Sequence, residues 1–496
     1  MTFTPEGSAA PTAPPTGPGP AVPSQAAQAA PVPRAPTPPP APDGGPPRRT
    51  AFAEGVDQLR AAATTEPGRL RIIGAVLAFL VVAFGSVTAW QMNDRAAAAD
   101  DVLHGSQPLS SAAAEIYSSL AAANTAASSG FLAGGQETAD SRKDYEREMS
   151  QAARQLAFAA GASKSGSDSE KRIIALNALL PEYKGLVERA RANNRLGYPL
   201  GGAYLRYAND KMQKMLEEAK SIYDNENERL RDDYAEATAY PWAAIGLGVV
   251  AIGGLVWAQR RNYRRTNRVL NHGMVAATAA STVVLLWLAG GHTVARAGLN
   301  DSYEHGVRSL TVLNDARIAS LTARGNENLT LISRGAQSIK IMVDGEETAV
   351  DEFDHNFKIE MRNLEDQLAA AERLADDSGG SKPVRAAGLG MEEWKARHAK
   401  ARAADDKGDY QCARDQVIGG RSTDDCPDGN RPTGQCFDQV DTNLGLASDY
   451  EKNEFKAAAR SGRAAMLGLP VGAAVLAVLG AAGAVLGIGR RLSEYR

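Results

Sequence analysis

The sequence predicts an all-α integral membrane protein with four transmembrane helices and two duplicated extracytoplasmic modules resembling antiparallel four-helix bundles. Three observations predict it. Four apolar runs interrupt a chain of 496 residues, at Ile72–Trp90, Trp242–Trp257, Val269–Leu288 and Ala464–Gly489. Each approaches the roughly 20 apolar residues that a helix needs to cross a hydrocarbon core about 30 Å thick. The long segments between runs one and two, and between runs three and four, are filled with Ala, Glu, Arg, Leu and Lys and are sparse in Gly and Pro, so both read as helical. Pieces of the first segment recur in the second in the same order.

The elements follow in order. Residues 1–70 form a tail in which Pro, Ala, Gly and Ser dominate up to Pro47 and Phe3 is the one early aromatic residue. Such a stretch buries too little apolar surface to offset its chain entropy and is expected to be disordered. No apolar region follows Met1, so no signal peptide is expected. Arg48, Arg49, Arg60, Arg69 and Arg71 precede or open the first span, 71–91. Arg260, Arg261, Arg264, Arg265 and Arg268 crowd the loop 259–268 between the second span, 241–258, and the third, 269–290. Arg490, Arg491 and Arg496 occupy the short end, 490–496, after the fourth span, 464–489. Basic residues stay on the cytoplasmic side, so both termini and the middle loop are assigned inside, where the arginines meet acidic membrane lipid. The modules 92–240 and 291–463 are then outside. Trp90 suits the outer interface.

In the first module, Leu205, Ala208, Met212, Met215, Ala219 and Ile222 alternate spacings of three and four, a heptad seam on one helix face. Earlier helices show Leu180, Tyr183, Val187 and Ala190, and Met149, Ala152 and Leu156. Breaks fall at Gly134-Gly135, Gly161–Ser169 and Leu196–Gly202, which gives four helices and short turns. The last helix meets no breaker before Pro241, which suits a kink or the first turn of the second span.

Repetition ties the modules together. Tyr183-Lys184, Ala190-Arg191-Ala192 and Gly197 recur as Trp394-Lys395, Ala401-Arg402-Ala403 and Gly408. Tyr145, Glu148-Met149 and Gln155-Leu156-Ala157 recur as Phe357, Glu360-Met361 and Gln367-Leu368-Ala369. The shared order makes the chain two copies of one span–bundle–span unit.

Chemistry is scarce. Net charge is −3, which gives no reason to expect a nucleic-acid partner. The six histidines are isolated, and no phosphate loop, nucleotide fingerprint or serine elbow occurs, so no enzyme activity and no cofactor are expected. Cys412, Cys426 and Cys436 lie in a Gly-, Asp- and Pro-rich stretch of the second module, where an outer compartment permits disulfides. Cys426 with Cys436 is the favoured pair, with Cys412 pairing to either one left open. Three dispersed cysteines without a nearby histidine do not make a zinc site, and no metal is expected. Gly468…Gly472 and Gly483…Gly487 have the small-xxx-small spacing of closely packed spans.

The stretches Ala123-Asn124-Thr125-Ala126-Ala127-Ser128-Ser129-Gly130-Phe131-Leu132, Ala190-Arg191-Ala192-Asn193-Asn194-Arg195 and Asn326-Glu327-Asn328-Leu329-Thr330-Leu331, set within four spans and two outer helical modules, resemble the actinobacterial GlnX membrane proteins. The resemblance implies a non-enzymatic relay between an extracytoplasmic glutamine-type solute-binding protein, which senses Asp or Glu, and the cytosolic serine/threonine protein kinase G, in control of nitrogen and 2-oxoglutarate metabolism. The stretch 412–436 departs from that pattern. Two other classes stay in view: a chemoreceptor-like protein that binds its ligand directly, and a structural envelope or secretion-associated protein. Self-association is compatible with any of them. Candidate contacts for an outer partner are the polar residues near bundle turns: Arg191, Asn193, Asn194 and Arg195 in the first module, and Arg402, Asp405 and Asp406 in the second.

Overall fold

The computed structural model describes residues 64–134, 137–266, 271–343 and 346–493. The tail expectation up to residue 63, and Arg268, lie outside the described residues. The first helix, α1 (Glu66–Asp101), starts earlier than a span beginning at 71, because Thr65 accepts a capping hydrogen bond from the Gly68 amide and Pro67 occupies the first turn. It runs through a π-helical segment, Val102–Ser106, into α2 (Gln107–Leu132) without a break. Helices α3 (Ala139–Ala162), α4 (Asp168–Arg195) and α5 (Leu200–Thr238) complete a first four-helix bundle, and α6 (Trp242–Thr266) returns along α1.

The second half follows the same course. Helix α7 (His272–Asp301) passes through a second π segment, Ser302–Val307, into α8 (Arg308–Ser333). A hairpin, β1 (Ser338–Val343) and β2 (Glu346–Asp351), leads to α9 (Glu352–Leu374), α10 (Ser378–Asp406) and the short α11 (Tyr410–Ile418). Helix α12 (Thr433–Met466) then leads to α13 (Leu469–Ser493). The strands are antiparallel, with Ser338 opposite Asp351 and Val343 opposite Glu346. This hairpin is an exception to the expected all-α fold.

Local sequence explains the helix starts. Thr138, Ser167, Asp351, Asp377 and Asp409 each accept a hydrogen bond from an amide in the first turn of the following helix. Such caps satisfy donors that the helix itself leaves orphaned, and each contributes about 1 kcal/mol. Glu170 reaches back to the Gly166 amide, closing a reciprocal cap at the start of α4.

The heptad face of α5 is buried from Leu205 through Ile222, and its residues from Ala208 onward pack with Tyr183, Met149 and Leu156 in the first core. The second core gathers Trp394, Phe357, Met361 and Leu364 with Val440 and Leu444. Tyr183 and Trp394, matched positions of the repeat, are among the largest fully buried side chains. Removing such an aromatic side chain costs about 3–5 kcal/mol. The central helices α2 and α8 pack on each other, joining the bundles into one body. Thr125 donates to the Leu321 carbonyl at 2.9 Å, and Asn328 donates to Ser128 and Ser129 at 3.1 and 2.8 Å.

Helices α1, α6, α7 and α13 are long and apolar enough to cross a membrane. They pack through Leu77, Val81, Leu255, Ala277 and Ala484, while Phe79, Trp242, Leu286 and Leu479 face outward. Outward apolar faces on all four helices are what a lipid solvent requires. The Gly483…Gly487 spacing serves close approach: a Cβ placed on Gly273 would stand 2.3 Å from the Gly483 carbonyl oxygen.

Candidate functional site

The helices that join body to spans differ in pairs. The α1–α2 and α7–α8 helices are continuous through their π segments. The chain between α5 and α6 is broken at Ala239–Pro241, and that between α12 and α13 at Leu467-Gly468. Arg95 on α1 bridges the first break, donating to the carbonyls of Ala239 and Tyr240. Arg296 on α7 lies 4.4 Å over the Tyr240 ring, and the buried His292 packs edge-on to it with neither ring nitrogen hydrogen-bonded. The two π segments share a signal that the sequence reading passed over. Arg95, Asp100, His104, Gly105 and Leu109 match Arg296, Asp301, His305, Gly306 and Leu310 in spacing. π segments inside α-helices commonly mark functional sites.

A cleft of about 670 Å³ opens where the halves meet beside the second π segment. Lys220, Tyr223, Asp224, Asn227, Glu228 and Arg231 of α5 form one wall. Tyr303 and Val307 of the π segment, with Arg308, Thr311, Val312 and Asp315 of α8, form the second, and Ala370, Arg373 and Leu374 of α9 close it. Positions 220, 223, 224, 227, 228 and 231 share one face of a helix, so α5 offers the core its seam and the cleft an adjacent polar stripe. Burial raises the Asp315 carboxyl to about 6, with Lys220 opposing and Asp224 reinforcing the shift. Tyr223 is only 3% exposed, and burial pushes its phenol to about 12. Its hydroxyl lies near Asn227, Thr311 and Asn314 yet makes no well-formed hydrogen bond.

A buried polar network occupies the far end of the second bundle. Glu327 accepts from Trp394 at 3.1 Å, from Thr433 at 3.0 Å and from Arg324 at 2.5 Å, and its other oxygen faces His398 Nδ1 at 2.9 Å. The second imidazole nitrogen faces Asp354 at 3.3 Å. Burial alone would raise the Glu327 carboxyl, but the Arg324 charge and the His398 contact outweigh it and hold it below the usual range. Burial likewise opposes the His398 imidazolium, but hydrogen bonds to Asp354 and Glu327 outweigh it and raise its affinity for protons.

The sequence-selected contact residues fall into different settings. Arg191 is 5% exposed, ion-paired with Glu137 at 3.0 Å and Glu188 at 2.7 Å and stacked over Tyr145 at 4.3 Å. It is a buried tie between turns, which corrects its reading as a free partner contact. Asn193 donates to the Arg189 carbonyl, and Asn194 donates to the Phe131 carbonyl at 2.8 Å. Arg195 is exposed. Arg402 is held by Asp354, Asp405 and Asp406, so these three candidates form one local cluster. Among the described residues, the exposed apolar side chains at this far end, which the sequence reading did not select, include Leu196, Tyr198, Leu200 and Tyr207 of the first bundle and Met342 of the hairpin.

Two further expectations change. Cys412 pairs with Cys426, not Cys426 with Cys436. Cys436 sits on α12 facing the second core and is 3% exposed, whereas Cys412 and Cys426 come to a Cα separation of 5.5 Å. Arg260, Arg261, Arg264 and Arg265 are not on a loop, because α6 continues to Thr266. Arg261 lies 5.5 Å over the Trp257 ring, and Gln259 ties α6 to Met274 and Thr278 of α7.

A family model described as an actinobacterial sensor domain matches residues 98–235, which is the first bundle from the end of α1 almost to the end of α5. No curated protein and no solved structure matches the chain. The first bundle is thus similar to an actinobacterial sensor domain, and the four membrane-length helices are consistent with a multi-pass membrane protein.

Proposed function

We propose that this protein is a non-enzymatic transmembrane relay with the helical body outside the cell and the arginine-rich helix ends inside. The observation that carries the reading is mechanical. α1–α2 and α7–α8 each run as one rod from the inner membrane face to the far end of the body, as 66- and 62-residue helical stretches. At about 1.5 Å per residue each is about 90–100 Å long, so a displacement at one end is felt at the other. Arg69 and Arg71, Arg260 to Arg265, and Arg490 mark the same membrane face, which the positive-inside rule makes cytoplasmic.

In this reading an extracytoplasmic solute-binding protein carrying Asp, Glu or Gln docks at the far end, where Leu196, Tyr198, Leu200 and Tyr207 are exposed. A cytosolic serine/threonine kinase that controls nitrogen and 2-oxoglutarate metabolism reads the inner face. The common course of the two halves, including the paired π segments, supports duplication of one span–bundle–span unit. Direct ligand sensing is the second reading, favoured by the cleft beside the second π segment.

Crosslinking pull-down of the full-length protein from its own membrane tests the relay. Joint recovery of an outer solute-binding protein and an inner serine/threonine kinase is expected, with loss of the outer partner on Tyr198→Asp and Tyr207→Asp. Recovery of wall or division proteins alone rules the relay out.

A further inference from the structure

The cleft between the halves has a charge arrangement that specifies a ligand class, whichever proteins the chain contacts. Helix α8 runs away from the spans, while α5 and α9 run toward them, so height above the membrane can be read along each wall. Arg231, Arg308 and Arg373 line the end nearest the spans, and Lys220, Asp224 and Asp315 line the opposite end. Some of these charges are already committed: Lys220 pairs with Asp224 at 3.2 Å, and Arg308 pairs with Glu304. Among the described residues, Arg231, Arg373 and Asp315 have no ion pair, and the buried Tyr223 hydroxyl lacks a well-formed hydrogen bond. Glu228, one turn from Arg231, leaves the guanidinium end with a surplus of positive charge.

We propose that this cleft binds a short peptide of about three residues with both termini free, its carboxylate on Arg231 and Arg373 and its ammonium on Asp315. The span of the charges sets the length. Seven residues of α8 separate the levels of Arg308 and Asp315, a rise of about 10 Å. An extended chain advances about 3.3–3.6 Å per residue, so three residues cover it. A single amino acid carries its ammonium and carboxylate on one carbon and cannot reach both ends. A divalent cation would face the two unpaired guanidiniums. Val312 lies between the two charged ends, and Val307 and Leu374 add apolar surface at the guanidinium end. The cavity of about 670 Å³ lies in the range of small-ligand sites. A bound peptide bridges α5 to α8 and α9 next to the π segment of the α7–α8 rod.

The test uses the full-length protein in lipid nanodiscs and calorimetric titration with Ala-Leu-Ala, its N-acetyl form, its C-terminal amide and free leucine. Ala-Leu-Ala is expected to bind, and blocking either terminus is expected to weaken binding by about ten-fold or more. In Asp315→Asn the free and acetylated peptides should bind alike, and in the Arg231→Gln, Arg373→Gln double variant the free acid and the amide should bind alike. These comparisons are made within one protein, so a general loss of stability does not imitate them. Absence of binding by Ala-Leu-Ala, equal binding of the blocked forms to the unmodified protein, or leucine binding as tightly as the tripeptide overturns the proposal.

Discussion

Arg95 donates a 2.7 Å hydrogen bond from Nε to the carbonyl oxygen of Ala239. The same guanidinium reaches the Tyr240 carbonyl at 3.2 Å and the Gln91 carbonyl at 2.8 Å. Ala239, the C-cap of α5, is in an extended conformation, so the chain leaves the helix there and the Ala239 carbonyl has no partner within the helix. A side chain from the continuous rod thus bridges the break in its neighbour and ties the two together.

Arg95→Met should lower the stability of the full-length protein by about 1–2 kcal/mol, the scale of charge-assisted hydrogen bonds at a partly exposed site. Arg296→Met removes only a stack on Tyr240 and should cost about 0.5–1 kcal/mol. Thermal unfolding in detergent checks both. An unshifted midpoint for Arg95→Met, or a larger shift for Arg296→Met, contradicts the tie.

Gly273→Val should disrupt the packing of the spans, since its Cβ would meet backbone atoms of Gly483 and Gly487 at 2.3–2.7 Å. Overpacking of this kind costs about 1–3 kcal/mol. Gly253→Val has open space around its Cβ and serves as the neutral control. Cysteine crosslinking between α7 and α13 reports the difference, and equal crosslinking in both variants would show that the close approach is dispensable.

Glu327→Gln leaves the buried Arg324 and His398 without their shared anion and should destabilise the second bundle by about 3–5 kcal/mol. The network also sets a pH window. The raised His398 pKa contributes stability that is complete below the unfolded value, about 6.5, and is lost as pH rises through the folded value. The lowered pKa values of Glu327 and Asp354 contribute stability that is present above about 4 and is lost as pH falls through their folded values. The network is therefore strongest between about pH 5 and 6.5. A midpoint-versus-pH curve for His398→Gln that parallels the parent through neutral pH would remove His398 from this account.

Reduction of Cys412–Cys426 should destabilise the second half by about 3 kcal/mol, the entropy of a loop of about 15 residues. Cys436 should resist alkylation until the protein unfolds, because it is buried and burial pushes its thiol up. Mass spectrometry after alkylation with and without reductant separates the two, and a Cys426–Cys436 peptide would refute the pairing.

The regular parts of this fold were legible. The α5 seam could be read because a helix with one buried face repeats Leu205, Ala208, Met212 and Met215 at a fixed period. The turns at Gly134, Gly166 and Gly197 could be read because all three adopt positive φ, which glycine tolerates. The hairpin was missed despite Asp344-Gly345 between Ile339, Ile341 and the second strand, a turn signal overridden by the helical composition around it. Arg191 looked like a solvated helix end because its partner Glu137 is 54 residues away in sequence. The cleft charges likewise come from α5, α8 and α9, and no local period brings those three helices together.

The π segments give the two continuous rods a phase change. A π turn closes its hydrogen bond one residue later than an α turn does. One residue of an α-helix is about 100° of rotation, so inserting such a turn resets which side chains lie in line above and below it. The stripe of α1 that meets α13 in the membrane and the stripe of α2 that meets α8 in the body belong to one helix but to two registers. Each register can be fitted to its own surroundings, lipid and neighbouring spans below, packed bundle above, while the backbone stays mechanically whole.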